Sequence, residues 1–318
     1  MPIYVPFILN IGAQVLAQFQ RQPVQAFYFY YSVFLFAGLL ISLLLAYKEI
    51  RKAISGISRK YYAYLLVVIL IFVFLEVAFV KPTHLLYNDE YIYVSVAKML
   101  LTEHLAAVCS FSNATSCVPG TAGFIHHPPG WPFLLAIPSY FFGVSFGLAY
   151  NMELLFSVFS IVLIFLIVYV LLKDLRVGIL SSAILAFTPL FMSYSRSNIL
   201  DTPAVTFLLL SVFLLSVYVK RKSMLAGIAA VFSIAYMLNM KVDMVFAIGV
   251  LLLLLLLDKD KFDGPEVTKN LKRLALLLII AAIVAFPALL YVYAASNFSF
   301  GAPQGQPNFS FAYLRSNL

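Results

Sequence analysis

Eight apolar runs, at about 27–47, 61–80, 150–172, 177–195, 203–219, 224–240, 243–257 and 274–294, constrain this chain more than any other feature. Crossing the hydrocarbon of a bilayer takes roughly 20 predominantly apolar residues. Inside it every backbone N–H and C=O must be bonded within the protein, which leaves the helix as the solution for single runs of this length. Composition agrees, since 63% of the 318 residues are hydrophobic and only 11% are charged. A water-soluble domain carries about 25% charged residues, so that class is excluded, and disorder and coiled coil with it. The sequence predicts an all-α polytopic membrane protein with about eight transmembrane helices.

The basic residues give it an orientation. Lys48, Arg51, Lys52, Arg59 and Lys60 fall between the first two runs, Lys173 and Arg176 between the third and fourth, and Lys220, Arg221 and Lys222 between the fifth and sixth. Lys259, Lys261, Lys269, Lys272 and Arg273 precede the eighth, and together these clusters hold fifteen of the 21 Lys and Arg. All fall on one side of the count, which the positive-inside rule makes cytoplasmic. The net charge of +8 is then topology, with no footprint for nucleic acid. No Lys or Arg precedes Arg21, which argues against a secretory signal with a charged start, and both termini are expected outside. The run Phe27 to Tyr31 fits an aromatic belt or helix packing.

The long connection over residues 81–149 is the first outer loop, and connections of such length usually carry function. Within it Tyr93, Val96, Ala97, Leu100, Leu101 and His104 repeat at helical spacing, while Ser95, Lys98, Thr102 and Glu103 take other faces. That pattern predicts an amphipathic helix parallel to the membrane. Asn88 can cap it, and Asp89 and Glu90 in its first turn suit the positive end of the helix dipole. Trp131 to Gly147 is apolar enough to imitate a ninth span. Crossing there would move every later basic cluster outside, so the stretch is expected at the interface or re-entrant, broken near Pro138. Cys109 and Cys117, the only two cysteines, sit in this loop and read as a disulfide or as two free thiols. Glycosylation sequons at Asn113, Asn297 and Asn308 all fall on the predicted outer side.

Several charges remain that topology does not explain. Asp89 and Glu90 follow the second run, Arg196 and Asp201 occupy the turn between the fourth and fifth, and Lys241 and Asp243 lie between the sixth and seventh. Different spans thus bring acids and bases to one face, although capping and snorkelling would account for each singly. Glu76 lies about one turn inside the outer boundary, either a functional intramembrane acid or one snorkelling toward Lys81. Sugar transfer from a polyprenyl phosphate would use such a set. A carboxylate can take the proton of the acceptor hydroxyl, and cations or a metal can stabilise the departing phosphate.

Asn88-Asp89-Glu90-Tyr91 after a span, His126-His127-Pro128-Pro129-Gly130-Trp131-Pro132, Ser195-Arg196-Ser197-Asn198-Ile199-Leu200-Asp201, and Gly227 followed by Leu238-Asn239-Met240-Lys241 complete the pattern. Over about 61–257 the chain resembles the C-type glycosyltransferases, above all the dolichyl-phosphate-mannose protein mannosyltransferases and the lipid A aminoarabinose transferases. The resemblance implies an inverting hexosyl or pentosyl transferase of the cell membrane, or of the endoplasmic reticulum in a eukaryotic host, acting on the non-cytoplasmic side. Its donor would be a polyprenyl or dolichyl phosphate sugar and its acceptor a protein or glycan hydroxyl. By the same resemblance Asp89 is the base and Glu90 supports the site or contacts the acceptor; Arg196 and Lys241, as cations at span ends, are expected to hold the donor phosphate, and His126, His127 and Asp201 to line the pocket. Residues 1–60 then form an added span and basic loop, 61–257 the glycosyltransferase-like core, and 258–318 a basic loop, a last span and an outer tail.

The chain departs from the family at Gly130-Trp131, where Leu commonly follows Pro-Pro, and at Asn239, where Thr is usual. It also stops at Leu318 soon after the eighth run, where members usually continue, which suits a truncated or minimal member. For the histidines a two-His zinc site is disfavoured, because neighbours in sequence do not share a helix face. A divalent ion on His127 and Glu90, or a purely pocket-shaping role, stays open. Two other functions compete with transfer. A secondary transporter should show ionisable residues at mid-membrane and an internal repeat, and an accessory subunit of a glycan-assembly complex would bind without turnover.

Overall fold

The computed structural model describes residues 23–82, 87–109, 122–123, 127–249 and 267–298. Ten α-helices, one 3₁₀ turn and one two-residue strand pair occur among them. Helices α1 (Pro23–Ile54), α2 (Arg59–Ala78), α5 (Phe146–Leu172), α8 (Asp201–Arg221) and α10 (Val267–Phe298) are the five long and apolar enough to cross a membrane. The chain is an integral membrane protein built as a helical bundle.

Five among the described residues is fewer than the eight expected, and for the fourth and sixth runs the difference has local causes. The fourth apolar run is two helices, α6 (Leu175–Ala186) and α7 (Pro189–Tyr194). Pro189 has no N–H to continue the ladder and pushes Thr188 into an extended conformation (φ −70°, ψ 123°). The sixth run is α9 (Met224–Leu238), 15 residues or about 22 Å of helix. The seventh run opens as a 3₁₀ turn, Val242–Phe246, and its continuation beyond 249 lies outside the described residues.

In the outer connection α3 (Tyr87–Thr102) has the expected face, with Tyr93, Val96, Ala97 and Leu100 buried and Lys98, Thr102 and Glu103 exposed. That face packs on α4 (Gly130–Phe142), so protein rather than lipid covers most of it. Because α3 starts at Tyr87, Asn88 lies inside the first turn and is not the cap. His104 is exposed and takes a left-handed conformation (φ 53°) just past the helix, off the face assigned to it. Helix α4 is not broken at Pro138. It runs through that residue and stops at Gly143, whose φ of 78° only glycine adopts freely. Its first turns are wholly buried, while Tyr140, Phe141 and Phe142 at its end are exposed. Strands β1 (Val108–Cys109) and β2 (Ala122–Gly123) pair antiparallel. The side chains of Cys109 and Asn297 and the whole of Cys117, Asn113 and Asn308 lie outside the described residues, and no disulfide occurs among those described.

The tight turns at one end share a device. Lys173 ends α5 in the left-handed region and Asp174 then caps α6 by accepting from the N–H groups of Arg176 and Val177. Lys222 ends α8 in the same conformation and Ser223 accepts from the N–H of Ala226 to start α9. Arg221 donates to the carbonyl of Lys52 at 2.5 Å, which joins this end to the close of α1. Burial first, and then the charges of Arg221 and Lys220, hold the Lys173 ammonium below its usual pKa. The basic clusters therefore meet at one end of the bundle. At its centre α9 packs on α8, α1 and α10, with Tyr31 donating from α1 to the carbonyl of Val284 at 2.7 Å.

Candidate functional site

At the end of the bundle away from the basic turns, four acids stand near enough for their charges to act on the hydroxyl of Tyr93. Burial pushes its pKa well up, and the charges of Asp89, Asp201, Glu153 and Glu90 push it further. These acids come from three elements, α3 for Asp89 and Glu90, α5 for Glu153 and α8 for Asp201. Asp89 is half-exposed, whereas Glu90 and Glu153 are fully buried. The adjacent residues thus have different access to solvent, although both stand in the first turn of α3.

Lys241 reaches this acid cluster from the end of α9. Its Nζ lies 2.6 Å from Asp201 Oδ1, with about a third of the Asp201 side chain and about a fifth of the Lys241 side chain exposed. An ammonium has three donors, so one bond to Asp201 leaves two for another oxygen. Sequence separated these residues by one whole hairpin, and α8 and α9 close it.

Arg196 sits in the turn between α7 and α8, half-buried, with its Nε shielded and without a hydrogen bond. Its neighbour is Glu76 of α2, whose carboxylate faces Ser195 and the Arg196 charge. Glu76 is fully buried, and neither of its oxygens has a hydrogen bond of good geometry. The acid does not snorkel toward Lys81, as one sequence reading had it. It lies under the turn instead.

That turn is held by buried bonds. Asn198 donates from Nδ2 to the carbonyl of Glu90 at 2.9 Å and accepts at Oδ1 from the indole N–H of Trp131 at 2.9 Å. The next N–H, of Ile199, donates to Glu153 Oε1 at 3.1 Å. Glu153 Oε2 is buried and unbonded. One sequence signal could have singled Glu153 out, since it is an acid inside an apolar run. Asn198 and Trp131 stand in motifs the sequence marks, but nothing local reveals that their partners lie 108 and 67 residues away.

The two departures in sequence meet each other. The N–H of Gly130 donates to the carbonyl of Asn239 at 2.7 Å, and a Cβ at position 130 would lie 2.5 Å from that oxygen. Asn239 also donates from Nδ2 to Ser32 Oγ at 3.0 Å, and Tyr236 donates to the carbonyl of Gly130 at 3.1 Å. The junction brings the start of α4, the end of α9 and α1 together directly before Lys241. His127 is half-buried just ahead of it, and His126 lies outside the described residues. Among the described residues no group of three or more His, Cys, Asp or Glu is close enough to hold a metal ion.

A family model described as dolichyl-phosphate-mannose-protein mannosyltransferase matches residues 126–291. Neither a curated protein nor a solved structure matches the chain.

Proposed function

Because the chain belongs to the dolichyl-phosphate-mannose-protein mannosyltransferase family and is a membrane glycosyltransferase of the C-type, we propose that it moves a sugar from a polyprenyl phosphate to an acceptor hydroxyl with inversion. The observation that carries the reading is Lys241 bound to Asp201 at 2.6 Å, at the same end of the bundle as Asp89 and Glu90, whose helix is tied to the Arg196–Asp201 turn by Asn198. An alcohol is a poor nucleophile, and a carboxylate positioned beside it removes its proton as the new glycosidic bond forms. Asp89 takes this part, since it alone of the three acids on α3 and α5 reaches solvent where an acceptor can arrive. The bond between the anomeric carbon and the phosphate oxygen breaks on the opposite face of the sugar, and the electron pair leaves with the phosphate. Lys241 and Arg196 meet that growing negative charge. The site faces the non-cytoplasmic side, opposite the basic turns.

Transfer of labelled sugar from dolichyl phosphate mannose and other polyprenyl phosphate sugars to peptide or glycan acceptors tests the proposal. Asp89→Asn keeps shape but loses basicity, so kcat is expected to fall by about 10²–10⁴-fold with donor binding kept. Near-wild-type transfer by Asp89→Asn, or a product that keeps the donor's anomeric configuration, refutes the role of Asp89. A wild-type protein that turns over none of these donors would be an accessory subunit.

A further inference from the structure

The acids on α3 and the turn that carries Arg196 and Asp201 are far apart in sequence, yet one buried amide joins them. Asn198 is fully buried, and both ends of its amide are bonded across the chain, to the Glu90 carbonyl on α3 and to the Trp131 indole on α4. The bond to Glu90 is to its backbone, so it fixes where the first turn of α3 stands whatever the carboxylates do. Trp131 is fully buried against Phe156 of α5, with ring centroids 5.7 Å apart, and holds the far end of the amide rigid. Ile199 is tied separately to Glu153 of α5, so the turn itself does not depend on α3.

We infer that Asn198 is a positioning residue: it sets the distance between the acceptor-side acids Asp89 and Glu90 and the donor-side turn, with Trp131 as its anchor. The inference rests on the reading of these two groups as opposite sides of one transfer site. Reacting groups misplaced by about 1 Å can lose about 10²-fold in rate. A buried Asn is suited to the task because losing one partner leaves the other buried and unsatisfied, so the joint holds in one arrangement.

The test combines exchange and kinetics on the full-length protein in detergent. In Asn198→Ala the amides of α3 should exchange about tenfold faster or more, with the α5, α8 and α9 amides unchanged. Trp131→Phe removes the N–H together with part of the buried ring, so it should loosen α3 in the same direction. Combining the two should loosen α3 by less than the sum of the single effects, because the bonds act in series. Trp131 is the only tryptophan, so its emission in Asn198→Ala should shift blue as the indole N–H loses its acceptor. Turnover should fall by about 10²-fold while the donor KM stays within about threefold.

Unchanged α3 exchange in folded Asn198→Ala or Trp131→Phe overturns the inference, whatever the activity. A donor KM that rises in step with the loss of kcat also overturns it, since Asn198 would then serve the donor pocket. Should the wild type transfer no sugar while α3 loosens as described, the joint stands on the exchange data and the proposed function is what falls.

Discussion

Asp89 and Glu90 are neighbours with different fates, and exposure separates them. One half-exposed carboxylate can meet an acceptor, while the buried one beside it spends its backbone carbonyl on Asn198. The cation side shows a comparable division. Lys241 is already paired with Asp201, so its ammonium is held in place before a phosphate arrives and little ordering is left to the moment of binding. Removing it as Lys241→Ala should raise the donor KM roughly 10- to 100-fold, the range of a charge-assisted hydrogen bond of about 1.5–3 kcal/mol. Titrating the variant with polyprenyl phosphate alone checks this, because the phosphate charge is present before any sugar moves. Unchanged binding would remove Lys241 from the donor site.

At the scale of elements, the site depends on how short helices are seated on long ones. Helix α4 cannot span, being 13 residues long, and is instead fastened at its start by Gly130, whose N–H and carbonyl bond Asn239 and Tyr236. The oxygen of Asn239 lies where a side chain would begin, and it is backbone, which cannot swing away. Gly130→Ala should therefore part α4 from the end of α9 and destabilise the protein by about 1–3 kcal/mol. A lowered thermal midpoint in detergent is the measurement, with Gly147→Ala as control, because a Cβ there meets nothing within 4 Å. The 3.6-residue period of α3 was legible in sequence, and so was its acidic first turn. Its partner was not, since the same stripe of Tyr93, Val96, Ala97 and Leu100 could have faced lipid as readily as α4.

Over the whole molecule, charge is sorted by end. The turns holding Lys52, Lys173 and Arg221 meet at one pole, and Asp89, Asp201 and Lys241 at the other. With Cys109 and Cys117 replaced by Ser, single cysteines at Lys222 and Arg51 should be shielded from an impermeant maleimide in intact cells. Cysteines at Ser193 and Asp243 should react with it. All four native side chains are exposed, so accessibility to the reagent depends on sidedness. Labelling in the reverse order would invert the orientation and place the acids on the cytoplasmic side.

Sequence by itself determined the solvent and the sidedness of charge. Hydrocarbon tolerates neither unpaired backbone nor scattered ions, so apolar runs and basic clusters have few other arrangements. It also marked Asp89, Glu90, Arg196, Asp201 and Lys241, because polar side chains at span ends stand out against an apolar background. Only the tertiary structure decided that the fourth apolar run is two helices and that the sixth is a short one, since Pro189 and the packing of α9 act on chain direction. It alone showed that Glu76 lies beneath Arg196, that Glu153 holds Ile199 and that Asn198 joins α3 to α4. Those contacts link residues remote in sequence, and a buried hydrogen bond leaves no local period or composition by which to read it.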